Sequence, residues 1–181
     1  MKLSKLLPIM GLLIATVASL SGPTRTPGKT ASSQPPERAA YGPDVVHLDG
    51  LGGIEFGDTE QELARRGLLT PPIASCGPSL AGMTTVGPIF ADDRLVLLWA
   101  DPSMHTPEGV TSGTSVRQVQ ATYPALTSLD APQGTYRFDG LLVSEGDRSY
   151  LFLHDGQIVR KTVAGYTDYA RKLFDEGFGT C

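Results

Sequence analysis

Short apolar runs, cut by glycine, proline and aspartate turns, dominate the chain from Asp44 onward. The clearest is Ser149–His154, where Tyr150 and Phe152 fall on one face of an extended segment and Leu151 and Leu153 on the other. Apolar side chains on both faces predict a central strand covered above and below, with helices on one side and further loops on the other. Around it the pattern predicts an antiparallel meander. Asp139-Gly140 joins Thr135–Phe138 to Leu141–Ser144, Glu145-Gly146-Asp147 turns into Arg148–His154, and Asp155-Gly156 turns into Gln157–Val163. Asp-Gly between strand-forming residues marks a hairpin because both central positions of a type I′ turn need positive φ. Earlier in the chain, Met83–Phe90 and Arg94–Ala100 read as two strands about an Asp92-Asp93 turn, and Gly53 to Phe56 as a short edge strand. Leu69 to Pro78 reads as a loop. A C-terminal helix is predicted from a cap at Thr167 or Asp168 through Glu176, with Tyr169 and Leu173 one turn apart and Gly177 as its stop.

Two further helices open on a motif that occurs twice. Gly53-Ile54-Glu55-Phe56-Gly57-Asp58-Thr59-Glu60-Gln61-Glu62-Leu63 returns in degenerate form at Gly109-Val110-Thr111-Ser112-Gly113-Thr114-Ser115-Val116-Arg117-Gln118-Val119, an offset of 109 − 53 = 56 residues. Both glycines coincide, and Thr59 meets Ser115, Glu62 meets Gln118 and Leu63 meets Val119. Thr59-x-x-Glu62 and Ser115-x-x-Gln118 are capping boxes, in which the hydroxyl accepts the third residue's N–H while the carboxylate or amide reaches back to the cap's own N–H. The helices are expected from Thr59 to about Arg66, and from Ser115 to Tyr123 ahead of Pro124. The predicted class is therefore α+β: two capped-helix-plus-strands half-repeats, at about 53–100 and 109–163, sharing an antiparallel sheet, plus the C-terminal helix.

This glycine, Thr/Ser, Glu/Gln and aliphatic pattern, opening a short helix ahead of a β-meander, resembles the motif of BamE-like domains. It is similar also to the tandem-repeat β-lactamase-inhibitory proteins secreted by Gram-positive bacteria, and to secreted proteins of high-GC bacteria that end in a cysteine. The resemblance covers about ten residues in each copy and implies kinship of fold. Those families place methionine after the glycine, where this chain has Asp58 and Thr114, and none of their binding residues has a counterpart here.

The front of the chain changes the picture from domain to exported domain. Lys2 and Lys5 precede an apolar run, Leu6 to Leu20, that is broken by Pro8 and Gly11 and too short to span a bilayer. Residues 1–20 read as a signal peptide with cleavage after Ala18 or Ser19, leaving no integral membrane segment. Residues 21–43, rich in proline, threonine and serine, read as a disordered linker, and 44–181 as a single domain. That domain carries eight Arg and two Lys against eighteen Asp and Glu, a formal charge of 10 − 18 = −8. An acidic surface without a basic cluster repels phosphate backbones and excludes nucleic acid as the expected partner.

Candidate chemistry is sparse. Cys76 and Cys181, the only two cysteines, are expected to form one disulfide in an oxidising compartment; a reactive pair would want C-x-x-C spacing or a nearby histidine. His47-x-Asp49 suits a metal or acid–base pair or a solvated turn, His105 lies in a loop, and His154 flanks a hairpin, where it is expected to pair with Gln157. Asp92, Asp93 and Asp101 fit a calcium site, a glycosidase pair or plain turn chemistry. Trp99, Tyr136 and Tyr150 fit either an exposed binding face or a core. No residue is assigned a catalytic, cofactor-binding or metal-binding role, and no cofactor is expected. The expected function is a secreted, non-enzymatic binding or envelope-accessory domain acting on an extracellular or cell-envelope protein. The alternatives are a small hydrolase using His47 or His154 with nearby aspartates, and a purely structural surface protein.

Overall fold

Two β-hairpins and a returning strand pair build the centre of the fold, because their apolar residues sit on both faces and must be covered twice. The computed structural model describes residues 42–71, 77–133, 135 and 137–177. In chain order the elements are β1 (Val46–His47), β2 (Gly50–Leu51), β3 (Ile54–Glu55), α1 (Glu60–Arg65), β4 (Leu69–Thr70), β5 (Ser79–Leu80), β6 (Gly87–Ala91) and β7 (Arg94–Trp99). They continue with α2 (Val116–Thr122), β8 (Thr127–Leu129), β9 (Asp139–Glu145), β10 (Arg148–His154), β11 (Val159–Tyr166) and α3 (Thr167–Glu176). The main sheet has six strands in the order β6-β7-β11-β10-β9-β8, and every pairing in it is antiparallel. β1–β3 form a small separate meander, and β4 with β5 a two-stranded ribbon. The class is α+β with a C-terminal helix.

Both faces of the sheet are covered, as the Ser149–His154 pattern requires. Tyr150 and Phe152 of β10 pack with Leu95, Leu98 and Ala164 against Leu63 of α1, Val119 of α2 and Val46, Leu51 and Ile54 of the meander. Leu151 and Leu153 point the other way, joining Val96, Leu97 and Val163 under Ala170, Leu173 and Phe174 of α3. Helices therefore lie on both faces, which corrects the expectation of helices on one.

β7 has a bulge that explains why Val96 and Leu97 share a face. Ile89 pairs with Leu97 but Phe90 pairs with Leu95, leaving Val96 as the extra residue. β10 and β11 repeat this: Leu153 pairs with Lys161 but His154 with Val159, leaving Arg160 extra. β7 and β11 are joined through Trp99↔Val163, Leu98↔Ala164 and Leu97↔Gly165.

Several local expectations are corrected. Asp139-Gly140 is not a turn but the start of β9, with Gly140 opposite both Leu129 and Leu153. A Cβ on Gly140 would lie 2.9 Å from the Phe174 ring, so the glycine serves close helix–sheet approach rather than positive φ. The edge strand expected at Gly53 to Phe56 is present as β3, whereas β1, β2, the ribbon at β4–β5 and strand β8 were absent from the pattern; each is two or three residues long. β6 begins at Gly87 rather than Met83. α3 is capped by neither Thr167 nor Asp168: its N-cap is Tyr166, without a side-chain bond, and Thr167 donates its N–H to Asp147 O at 2.9 Å. Gly177 closes the helix at φ 78°. Among the described residues no helix is long and apolar enough to cross a membrane.

Candidate functional site

The site forms where β7 ends and β6 begins. Gly87 lies opposite Trp99, and a Cβ there would meet Trp99 Cβ at 3.3 Å, so glycine leaves room for the indole at the sheet's end. On the other side Trp99 pairs with Val163, which places Lys161, two residues along the same face of β11, diagonally beside the ring. The Lys161 ammonium lies 5.3 Å from the Trp99 ring centroid. The result is a groove of about 620 Å³ whose walls include Pro78, Pro88, Pro102, Trp99, Arg160 and Lys161, with the hydroxyls of Ser79, Thr84, Thr85 and Ser112 at its rim. That volume falls in the range of small-ligand sites.

The charges around the groove are fixed unequally. Arg160, the bulge residue, is held by Asp155 through Nε at 2.6 Å and Nη2 at 2.5 Å. The Asp155 carboxylate also accepts the Ile158 and Gln157 N–H groups, both at 3.0 Å. These bonds, first the two backbone donors and then Arg160, lower its pKa to about 2. Beside the opposite wall, Asp101 is lowered by hydroxyl bonds from Ser103 and Thr85 and by the Ser103 N–H. Lys161 has no carboxylate partner among the described residues, only the indole.

Of the aromatics singled out from sequence, Trp99 is half-buried on the groove and Tyr150 is 3% exposed. Tyr150 cannot present a surface; its hydroxyl donates to Val46 O at 3.0 Å across the core. Its ring and those of Tyr123 and Phe152 stack with centroids 5.8–6.3 Å apart. Tyr136, Cys76 and Cys181 lie outside the described residues. The groove's cations escaped the sequence reading, since only the β7–β11 pairing brings Lys161 to Trp99.

The histidines are dispersed. His154 is 8% exposed and its Nδ1 accepts the Gly156 N–H at 3.0 Å, so it serves its own turn rather than Gln157. His105 donates from Nδ1 to Thr106 O at 2.8 Å, with Nε2 3.6 Å from Asp44. His47 is lowered by burial, opposed by the Asp49 and Glu108 charges. Glu108 itself accepts the Tyr123 hydroxyl, and burial followed by this bond raises Tyr123 well above the phenol range. Asp92 and Asp93 occupy a left-handed turn at φ 50° and 62°, the turn reading of those carboxylates. Among the described residues no three His, Cys, Asp or Glu side chains converge as a metal site.

The helix caps are present on one side only. Thr59 Oγ1 accepts the Glu62 N–H at 3.1 Å and Ser115 Oγ the Gln118 N–H at 3.2 Å. No return bond from Glu62 or Gln118 joins either cap; each cap instead sits in a β-bridge, Thr59 with Arg94 and Ser115 with Ile158. Comparison with protein-family profiles, with curated proteins and with solved structures finds no match to this chain.

Proposed function

We propose that the domain is a doubled unit, with halves at about 53–100 and 109–163, that acts as an exported, non-catalytic protein-binding module through the groove at the seam between them. The doubling is supported by matched backbone bonds. Gly57 N–H donates to Leu95 O at 2.8 Å and Leu95 N–H to Asp58 O at 2.9 Å; Gly113 N–H donates to Val159 O at 2.8 Å and Val159 N–H to Thr114 O at 2.9 Å. The motif residues are 56 apart and their hairpin partners 159 − 95 = 64 apart. The two bulges also differ by 154 − 90 = 64. By this count Trp99 pairs with its own counterpart, Val163, so a local two-fold axis runs through that pair. In this reading the fold is akin to the BamE-like and tandem-repeat inhibitory domains that the motif resembles.

The observation that carries the binding role is the composition of the groove: Thr84 to Ala100 come from the first half and Ser112, Arg160 and Lys161 from the second. A cleft at a junction of two packed units, apolar with a few fixed polar groups, is where a partner gains most from desolvation. Export is supported by the basic, interrupted apolar start and small residues at 16–19. The full-length protein carrying a photo-crosslinking benzoylphenylalanine at Thr84 should give discrete protein adducts with culture supernatant or cell-envelope fractions. The same group at exposed Ser144 on β9, four strands from β6, should not. Equal adducts from both positions, or none from Thr84, would overturn the reading.

A further inference from the structure

Resting on the binding-module reading, we infer that the groove takes an extended, acidic peptide segment of the partner protein, with a carboxylate on Lys161 and an apolar or prolyl side chain against Trp99 and the proline walls. Three observations lead there. First, the two cations differ in readiness. Arg160 is already clamped by Asp155, whereas Lys161, among the described residues, rests only on an aromatic face, so a carboxylate can engage it without breaking an ion pair to them. Second, no carboxylate is among the described residues that line the groove, while the domain around it carries eighteen acidic residues against ten basic ones. The net negative charge of the domain disfavours an anionic segment in general, while the cations of the groove favour it there, which gives register and specificity more than raw affinity.

Third, the walls fit a peptide rather than another anion. Pro78, Pro88 and Pro102 with Trp99 make a ridged apolar surface of the kind that receives extended proline-tolerant chains. The groove's described lining residues have hydroxyls but no carboxylate or carboxamide side chain to grip sugar hydroxyls in pairs. Pro88 also decides how the segment binds. It is the second residue of β6, the outermost strand, and lacks the N–H that a continuing ladder would need there. Recognition therefore falls to side chains rather than to strand addition.

Trp99 is the only tryptophan in the chain, so its emission reports directly on the groove. The test is selection of a random dodecapeptide phage library on the full-length protein at low salt, followed by titration of the enriched synthetic peptides. The selected pool should be enriched in Asp and Glu, and its peptides should shift Trp99 emission saturably and bind more weakly as salt rises. Lys161→Glu should weaken them about tenfold, whereas Arg117→Glu, a charge reversal on exposed α2 away from the groove, should leave binding unchanged. Lys161→Gln, which keeps the stem, should give an intermediate loss and serves if the reversal perturbs folding. A pool without acidic enrichment overturns the inference, as does an oligogalacturonate that shifts Trp99 at lower concentration than any selected peptide. Peptides that bind equally to wild type and Lys161→Glu with no change in emission overturn the groove while leaving a binding module with its site elsewhere.

Discussion

Gly165 joins the two hairpins, and it shows how far one position can constrain the sheet. It pairs with Leu97 at φ 143°, and a Cβ there would lie 2.2 Å from Val96 O and 2.9 Å from Leu97 Cα. Val96 is the extra residue of the β7 bulge, so the close approach at Gly165 falls on the irregular part of β7. Gly165→Ala should cost at least about 3 kcal/mol in denaturant unfolding, combining overpacking against backbone with conformational strain. Gly113→Ala, at φ 91° in open space, should cost only about 1 to 2 kcal/mol, the left-handed strain alone. Equal losses at the two would remove the close-approach argument. Asp155 yields a prediction in pH. Its pKa falls from 3.8 to about 2 on folding, so its contribution is present above the unfolded value and is lost as pH falls through about 2. Asp155→Asn should thus be destabilising at pH 7 and converge with wild type near pH 2; a constant difference across that range would show that the charge is immaterial.

At the scale of elements, α1 and α2 have six and seven residues, too short to persist without their caps and the core beneath them. Thr59→Ala and Ser115→Ala should each lose about 1 kcal/mol by urea unfolding. A neutral result at either would mean that the β-bridge, not the hydroxyl, fixes that helix start. The caps were legible in sequence because a hydroxyl three residues before a Glu or Gln is a local signal. The return half of the box, expected from the same signal, does not form; the backbone beside each cap bonds instead to a hairpin tip far along the chain, Glu60 N–H to Asp93 O at 3.2 Å and Val116 N–H to Gln157 O at 2.9 Å. Asp139-Gly140 misled for a related reason. The dipeptide is a turn signal only if glycine is there for φ; here it makes room for Phe174, which approaches from an element some thirty residues later. The two-residue strands β1, β2, β4 and β5 carry no period that a pattern can reveal, since they are set by the core they cover.

At the scale of the whole molecule, the sheet with two covered faces was readable from Ser149–His154 and the turns that flank it, because an extended segment with apolar side chains on both faces has to be covered twice. The groove was not, as Trp99 and Lys161 meet only through strand pairing across 161 − 99 = 62 residues. The remaining prediction joins the two faces covalently. Cys76 falls in the chain between β4 and β5, whose Leu69 and Leu80 belong to the core on the α1 side, and Cys181 follows α3, which covers the opposite side. A bridge between them would tie one covering layer to the other around the sheet. Closing a span of 181 − 76 = 105 residues removes denatured-state entropy corresponding to about 4 to 5 kcal/mol in the loop model. On the proposal that the chain is exported, it reaches a compartment where that bond persists. Intact mass should be about two units below that of the reduced protein, with a single peptide pair joined through Cys76 and Cys181. Cys76→Ser should lower the unfolding midpoint by an amount matching several kcal/mol while the far-UV signal of the sheet is retained below it. Two thiols that alkylate freely in the native protein would sink the bridge and leave the two layers held to the sheet by packing alone.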